Sequence, residues 1–210
     1  MKRGVLHRAG GERRLARVLL AAALVAMFAG GCVQRRQSIG PTNAERTRAM
    51  QLASDAVAAA KKDDHTRAIE LNRQALEADP ELAAAWHNLG TSLLSQQKYG
   101  DAQLAFERAA ELSPTDPRPY ANLGVLYREA GWYKDALRYF DQALEREPTH
   151  LESLRGAVRT ALELGQFDQK TLDRARQGMK LETDQAWRGE FERAMVRLES
   201  EEQARETTLR

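Results

Sequence analysis

Four histidines, one cysteine and thirty acidic residues are the side chains of this 210-residue sequence best suited to chemistry. The histidines are His7, His65, His87 and His150. None is spaced from another as in the zinc-binding pattern H-E-x-x-H, and no G-x-S-x-G elbow or G-x-x-x-x-G-K-[ST] phosphate loop is present. The carboxylates, such as Glu107 and Glu111, follow the spacing of a solvent-facing helix surface. The sequence therefore predicts that the protein is not an enzyme and uses no metal or cofactor.

The elements that carry these residues repeat along the chain. Pro80, Pro114 and Pro148 lie 34 residues apart. Other positions recur with the same spacing, namely Trp86 and Tyr120, Leu89 and Leu123, Gly90 and Gly124, Tyr99 and Tyr133, and Phe106 and Phe140. Alanine recurs at 68, 102 and 136 and at 75, 109 and 143. A fixed period of this kind indicates a solenoid, in which each unit contacts only its neighbours.

The recurring motif is W-x2-L-G, then A-x3-F-x2-A, then proline. It resembles the tetratricopeptide repeat, a helix-turn-helix module. The resemblance implies an all-α fold, a solenoid of three to four repeats followed by a C-terminal capping helix. The composition agrees, because no segment has the alternating, β-branched pattern of a strand.

The repeat tract is expected over residues 43–184, with repeats at about 49–82, 83–116 and 117–150 and a degenerate one at 151–184. In the last, Lys170, Arg174 and Glu182 occupy the alanine, phenylalanine and proline places. Residues 185–210 are predicted to form a capping helix and polar tail. The apolar face of this helix would consist of Trp187, Phe191, Ala194, Met195 and Leu198. In the degenerate repeat before it, Phe167 still fits the repeat pattern.

Two helix starts are predicted from local chemistry. Thr42 followed by Glu45 fits a capping box that opens the first helix. Asp116 followed by Pro117 fits an N-cap with proline in the first turn.

In the tetratricopeptide family the first helix of each repeat lines a concave groove that takes extended peptides or partner helices. Matching positions place nine residues there, His87, Asn88, Thr91, Arg118, Asn122, Val125, Arg128, Arg155 and Arg159. The amides of Asn88 and Asn122 can both donate and accept, so they could hold a peptide backbone, although asparagine is also common at this place in the motif. The arginines could favour an acidic partner or simply be solvated.

The asparagine ladder is incomplete, because Ser54 and Gly156 occupy the flanking places. Ala53 and Val57 stand where chaperone-binding members have the first residues of their carboxylate clamp. Chaperone C-termini are therefore not the expected ligands.

The N-terminus carries a separate targeting signal. A basic leader contains Lys2, Arg3, Arg8, Arg13, Arg14 and Arg17. An apolar run over 18–29 follows, too short for the roughly 17–25 residues of a membrane span, and small residues end it as in a signal peptide. Gly30, Gly31 and Cys32 resemble the lipobox of bacterial lipoproteins.

That resemblance implies a signal peptide at 1–31, a lipidated Cys32 as the new N-terminus, and a flexible tether to residue 42. Two alternatives are an uncleaved signal anchor and a secreted protein cleaved near Ala29. Val33 follows the cysteine, where aspartate would favour retention on the inner membrane in enterobacteria. The outer membrane, facing the periplasm, is therefore the expected location.

Most of the excess positive charge belongs to the leader. Removing its six basic residues and one acidic residue from totals of 32 and 30 leaves a net charge of −3. The pI of about 8.8 therefore gives no reason to expect nucleic-acid binding.

Together these features predict a membrane-anchored scaffold or adaptor of the bacterial cell envelope. Its partners would be another envelope protein or peptide segment in the groove and the membrane, through the lipid on Cys32. The alternatives are a pilotin-like assembly factor for a secretin or pilus system and a signal-anchored subunit of an envelope enzyme complex.

Overall fold

The computed structural model describes residues 40–166 and 168–208. Within these ranges the chain forms nine helices and no strand. They are α1 (Asn43–Ala60), α2 (His65–Ala78), α3 (Ala83–Ser95), α4 (Tyr99–Leu112), α5 (Pro117–Glu129), α6 (Tyr133–Arg146), α7 (Leu151–Glu163), α8 (Gln169–Leu181) and α9 (Gln185–Thr208). The predicted signal peptide, Cys32, most of the tether and Phe167 lie outside the described residues.

The first eight helices form four consecutive pairs, α1–α2, α3–α4, α5–α6 and α7–α8. Among the described residues, each helix packs within its own pair and against the adjacent pair only. This nearest-neighbour packing confirms the predicted all-α solenoid of helix pairs.

The recurring glycines and phenylalanines pack against each other where the two helices of each central pair meet. A Cβ added at Gly90 would lie 2.6 Å from Cδ1 of Phe106, and one at Gly124 would lie 2.7 Å from Cδ1 of Phe140. Both rings are fully buried. Glycine is therefore required at these two positions because the partner ring occupies the space of a side chain.

The turn inside each pair contains one residue in the left-handed backbone region. These residues are Asp63, Gln97, Gly131 and Gly165, with φ of 63°, 57°, 79° and 67°. They also lie 34 residues apart, a periodicity hidden in the sequence because only two of the four are glycine. Each turn therefore has the same backbone geometry whatever its side chain.

Both predicted helix starts are confirmed. Thr42 and Glu45 form a reciprocal capping box at the start of α1. Asp116 caps α5 by accepting a hydrogen bond from the backbone N–H of Arg118 at 3.0 Å, with Pro117 as the first helical residue. α1 has 18 residues against 13 in α3 and therefore extends upstream of the start near residue 49 expected for the first repeat.

The fourth pair departs from the motif at its centre. Arg174 stands at the phenylalanine place, is buried, and forms an ion pair with Asp141 of α6. Lys170 donates to the same carboxylate at 2.9 Å. An ion-paired cluster thus replaces the ring that fills the central pairs.

α9 covers the apolar end of the array. Phe191, Ala194 and Leu198 are buried against a cluster that includes Leu154 and Leu172 of the fourth pair. A Cβ at Gly178 of α8 would lie 2.3 Å from Cζ of Phe191. The predicted capping helix is confirmed.

Candidate peptide-binding groove

The predicted groove residues lie on the first helices of three consecutive pairs. α3 carries His87, Asn88 and Thr91, α5 carries Arg118, Asn122, Val125 and Arg128, and α7 carries Arg155 and Arg159. α5 packs against both α3 and α7, so the three helices lie side by side.

Asn122 links α5 to α3 through its side chain. Its Nδ2 donates to Nε2 of His87 at 2.9 Å and lies 3.4 Å from Oγ1 of Thr91. With Nδ2 as the donor, Nε2 of His87 accepts and the ring proton lies on Nδ1. Three predicted groove residues therefore form one polar cluster. The Oδ1 of Asn122 receives none of these bonds and can accept one from a ligand N–H.

The surroundings of His87 favour its neutral form. Burial lowers the pKa of His87 from its ordinary value, and the positive charge of Arg118 lowers it further. The ring packs at a tilt against Phe106, with 6.0 Å between the ring centroids. A neutral imidazole is the form that can accept the hydrogen bond from Asn122.

The same cluster cannot form one pair earlier. Ala53 and Val57 of α1 stand where His87 and Thr91 stand on α3, and neither has a side-chain hydrogen-bonding group. A cavity of about 320 Å³ lies between α1 and α3, with Asn88 among its lining residues. The groove therefore has an open, apolar hollow here in place of a polar contact.

The asparagine ladder ends at α7 for a steric reason. Gly156 holds the position of Asn88 and Asn122, and a Cβ there would lie 2.3 Å from Cζ of Phe140. Phe140 thus excludes any side chain from residue 156.

Val125, another predicted groove residue, is half-buried and packs against the apolar cluster that contains Phe140.

Each predicted groove arginine is paired with a carboxylate of its own chain. The pairs are Arg118 with Asp116 at 2.6 Å, Arg128 with Glu163 at 3.7 Å, Arg155 with Glu182 at 2.6 Å and Arg159 with Glu190 at 2.7 Å. An acidic ligand would have to compete with these four carboxylates. The arginines therefore contribute little net positive charge to the groove.

Sequence reasoning missed the role of Glu182, which stands at the place of the repeat proline. Its buried carboxylate accepts two hydrogen bonds from Arg155, both at 2.7 Å, and others from the backbone N–H groups of Thr183 and Asp184. Burial opposes ionisation, but these donors outweigh it and lower the pKa of Glu182. The sequence did contain a signal for this role, because a charged residue stands at a place where the motif has proline.

Trp187 of α9 also reaches the groove helix α7. The guanidinium carbons of Arg155 and Arg159 lie 4.7 and 4.5 Å from the centroid of its ring. A second cavity, of about 270 Å³, is lined by these three residues and by Val158 and Phe191. α9 therefore covers the C-terminal end of the groove with cation–π contacts as well as ion pairs.

No group of histidine, cysteine, aspartate and glutamate within residues 40–166 and 168–208 is arranged to hold a metal ion. In the same part of the chain, no helix combines the length and the apolar character needed to cross a bilayer.

Sequence comparison matches the repeat tract to a known family. Residues 81–148 and residues 127–176 each match a tetratricopeptide repeat model. A stretch of 44 residues is 46% identical to the cytochrome c-type biogenesis protein CycH of Pseudomonas aeruginosa. This stretch is 21% of the chain and spans only 11% of CycH.

Solved structures share the architecture at low sequence identity. The Pseudomonas aeruginosa protein pilF is 16% identical with a TM-score of 0.66, over 77% of this chain and 72% of pilF. YrrB, a tetratricopeptide protein with an unusual peptide-binding site, is 20% identical with a TM-score of 0.60, over 78% of this chain and 81% of YrrB. The first tetratricopeptide domain of Spaghetti, bound to an HSP90 peptide, is 18% identical with a TM-score of 0.56, over 61% of this chain and 99% of that domain.

The motif, the paired helices and both family matches agree. Residues 81–176 of the chain are therefore tetratricopeptide repeats.

Proposed function

We propose that the protein is an interaction scaffold of the bacterial cell envelope whose groove holds an extended segment of another envelope protein. The observation that carries the proposal is the pair of equivalent asparagines on α3 and α5. Asn122 is held in place by His87 and keeps Oδ1 available, and Asn88 lies beside the open hollow. Amides placed in this way can bind a peptide backbone without requiring a particular sequence.

The structural neighbours support a peptide as the partner. YrrB has a peptide-binding site and the Spaghetti domain binds an HSP90 peptide, both on the same fold as this chain. The ligand here differs from a chaperone C-terminus, because Ala53 and Val57 cannot supply the first residues of a carboxylate clamp.

A lipid on Cys32 would hold this scaffold at the membrane. The support is the order of the N-terminal segments, a basic leader, an apolar run and then Gly30, Gly31 and Cys32. The tether of nine residues from 33 to 41 would reach about 30 Å when extended. The repeats would therefore act close to the membrane surface, and Val33 after the cysteine favours the outer membrane.

The test is photo-crosslinking in intact cells from residue 91, where exposed Thr91 is replaced by a photoreactive amino acid. We expect one or a few envelope proteins to be captured, identified by mass spectrometry, and lost when Asn88→Ala and Asn122→Ala are added. The matched control places the same group at Leu104, which is 65% exposed on the second helix of the pair. Capture that persists without both asparagines, or that is equal from Leu104, would contradict the groove function.

One observation favours a second candidate, an assembly factor for another envelope protein. The 44-residue match is to a protein of cytochrome c-type biogenesis. The same crosslinking separates the two candidates, since an assembly factor would capture unassembled subunits of one complex. Neighbouring genes for secretion, pili or cytochrome maturation would favour this candidate.

A further inference from the structure

We infer that the hollow between α1 and α3 is a specificity subsite for one uncharged, apolar side chain of the segment held in the groove. The inference rests on the proposed function, since it names the chemistry of the ligand that the groove selects.

The hollow lies where the polar contact found one pair later is missing. Between α3 and α5 the equivalent space contains the contact of Asn122 with His87 and Thr91. Between α1 and α3 that contact cannot form, because Ala53 and Val57 stand at the places of the imidazole and the hydroxyl. A cavity of about 320 Å³ lies between these helices, and Val57 is one of its lining residues. Such a volume can take a side chain of the size of leucine or phenylalanine.

The hollow opens onto the groove. Thr91, a groove residue, lies in its wall and is exposed, and Val57 on the opposite wall is 37% exposed. A segment that crosses α5 and α3 and continues toward α1 would therefore pass over its mouth. Asn88 is at the same wall, so a backbone hydrogen bond and an inserted side chain can occur together.

The wall itself offers an apolar surface. Ala56, Val57 and Ala60 of α1 form one side. On the other side, the hydroxyls of Thr91 and Ser92 donate to backbone carbonyl oxygens one turn earlier, each at 3.1 Å. These hydroxyls are already satisfied, so a ligand gains chiefly by removing apolar surface from water.

The charges around the hollow disfavour an ionised side chain. The titratable residues at its wall are Lys61, His65 and His87. His65 lies 3.1 Å from the carboxylate of Asp63, and burial lowers the pKa of His87 and so favours its neutral form. Exposed Lys61 would repel a lysine or arginine, and burying a carboxylate among alanines and valine would cost its hydration. The groove arginines that could attract an acid are already paired within the chain.

The test is selection of short random peptides on phage against the full chain, followed by affinity measurement of the enriched peptides by fluorescence anisotropy. We expect the enriched sequences to share one aliphatic or aromatic position. Val57→Trp should fill the hollow and weaken these peptides by about tenfold or more, since burying such a side chain is worth that much. The control Leu104→Trp makes a similar change outside the groove and should leave affinity unchanged.

Ala60→Leu is a second variant that narrows the hollow without filling it. It should shift the shared position from phenylalanine or leucine toward valine or alanine, and this readout does not depend on whether Val57→Trp folds. Enrichment of a shared charged residue, or an unchanged preference in both variants, would overturn the subsite.

Asn88→Ala and Asn122→Ala distinguish a failure of the subsite alone from a failure of the proposed groove function. If they weaken the peptides but the α1 variants do not, the groove binds peptides and only the subsite is wrong. If no peptide is enriched, or none depends on the asparagines, the proposed function and the subsite are both wrong.

Discussion

At the scale of single residues, glycines at helix crossings decide how closely the helices approach and where the groove's polar ladder ends. Gly156 is the informative case, because it holds an asparagine position and contacts Phe140. Glycine therefore allows close packing at Gly90 and Gly124, whereas at Gly156 it also removes the asparagine side chain that could bind a ligand.

Gly156→Ala should lower the free energy of unfolding by about 1–3 kcal/mol, because its Cβ would overlap the buried ring of Phe140. Gly100→Ala is the matched control, since a Cβ at that helical position meets nothing within 4 Å. The control should be no less stable than the wild type, because alanine has a higher helix propensity than glycine and nothing blocks its Cβ. Urea denaturation measures both, and equal effects would contradict the steric argument.

Glu182→Gln should lower the melting temperature at neutral pH, because it removes a buried partner of Arg155. The folded-state pKa of Glu182 is lowered, so its contribution to stability is present above its unfolded pKa of about 4.3 and is lost as pH falls through the folded pKa. The difference between wild type and variant should therefore shrink below about pH 4.

Thermal unfolding between neutral and acidic pH is the measurement. Glu190→Gln is the control, because that carboxylate pairs with Arg159 but is 43% exposed and should contribute less. A loss of stability at Glu182 that does not vary with pH would show that the charge is not responsible.

At the scale of elements, the helix pairs differ in how their interiors are filled. The two central pairs use a ring against a glycine, whereas the fourth uses Arg174 and an ion pair with Asp141. The turns inside the pairs keep one backbone geometry throughout. Packing therefore varies along the array while the connection between helices stays constant.

Gln97→Gly should stabilise the protein by about 0.5 kcal/mol. A non-glycine residue in the left-handed region costs roughly 1–2 kcal/mol, which exceeds the roughly 0.5–1 kcal/mol of chain entropy that glycine loses on folding. Gly131→Ala should destabilise the protein, because its φ of 79° is unfavourable for alanine. No neighbouring atom would clash with the added Cβ, so the effect would come from the backbone conformation alone. Chemical denaturation checks both signs, and a destabilised Gln97→Gly variant would contradict the expectation.

Arg174→Phe should destabilise the fourth pair even though it restores the motif. Val158 stands where Gly90 and Gly124 admit a phenylalanine ring in the central pairs, so the new ring would be overpacked by about 1–3 kcal/mol. Adding Val158→Gly should recover part of the loss. Melting temperatures of the single and double variants measure the coupling, and additive effects would contradict it.

The fold was largely predictable from sequence because its signals are local and periodic. The 34-residue spacing predicted the helix pairs, and the apolar face around Phe191 predicted the capping helix. The candidate site was less predictable from sequence, because the contacts that shape it join side chains on different helices. Nothing in the local sequence pairs Arg155 with Glu182, 27 residues away, or places Phe140 against Gly156.

At the scale of the whole molecule, the candidate groove is open and apolar near α1 and is covered by α9 at its other end. Its four arginines are neutralised within the chain. The proposed lipid at Cys32 would confine this groove to a membrane surface and raise the local concentration of partners there.

Cys32→Ser should abolish metabolic labelling by a fatty-acid analogue and release the protein from the membrane fraction. No other residue can take a thioether-linked lipid, since Cys32 is the one cysteine of the chain. Immunoprecipitation after labelling is the measurement, with Ser38→Ala as a control outside the lipobox. Labelling that persists without Cys32 would contradict the anchor, and a protein that stays in the membrane unlabelled would favour the signal anchor.

The left-handed turn residues also define where the molecule could be lengthened. Residues 98–131 begin just after one such turn residue, Gln97, and end on the next, Gly131. Duplicating this segment would join equivalent backbone positions and insert a complete turn-to-turn unit. Each inserted copy would add a further asparagine equivalent to Asn122, so the length of peptide held could change by whole repeats without redesign of either end.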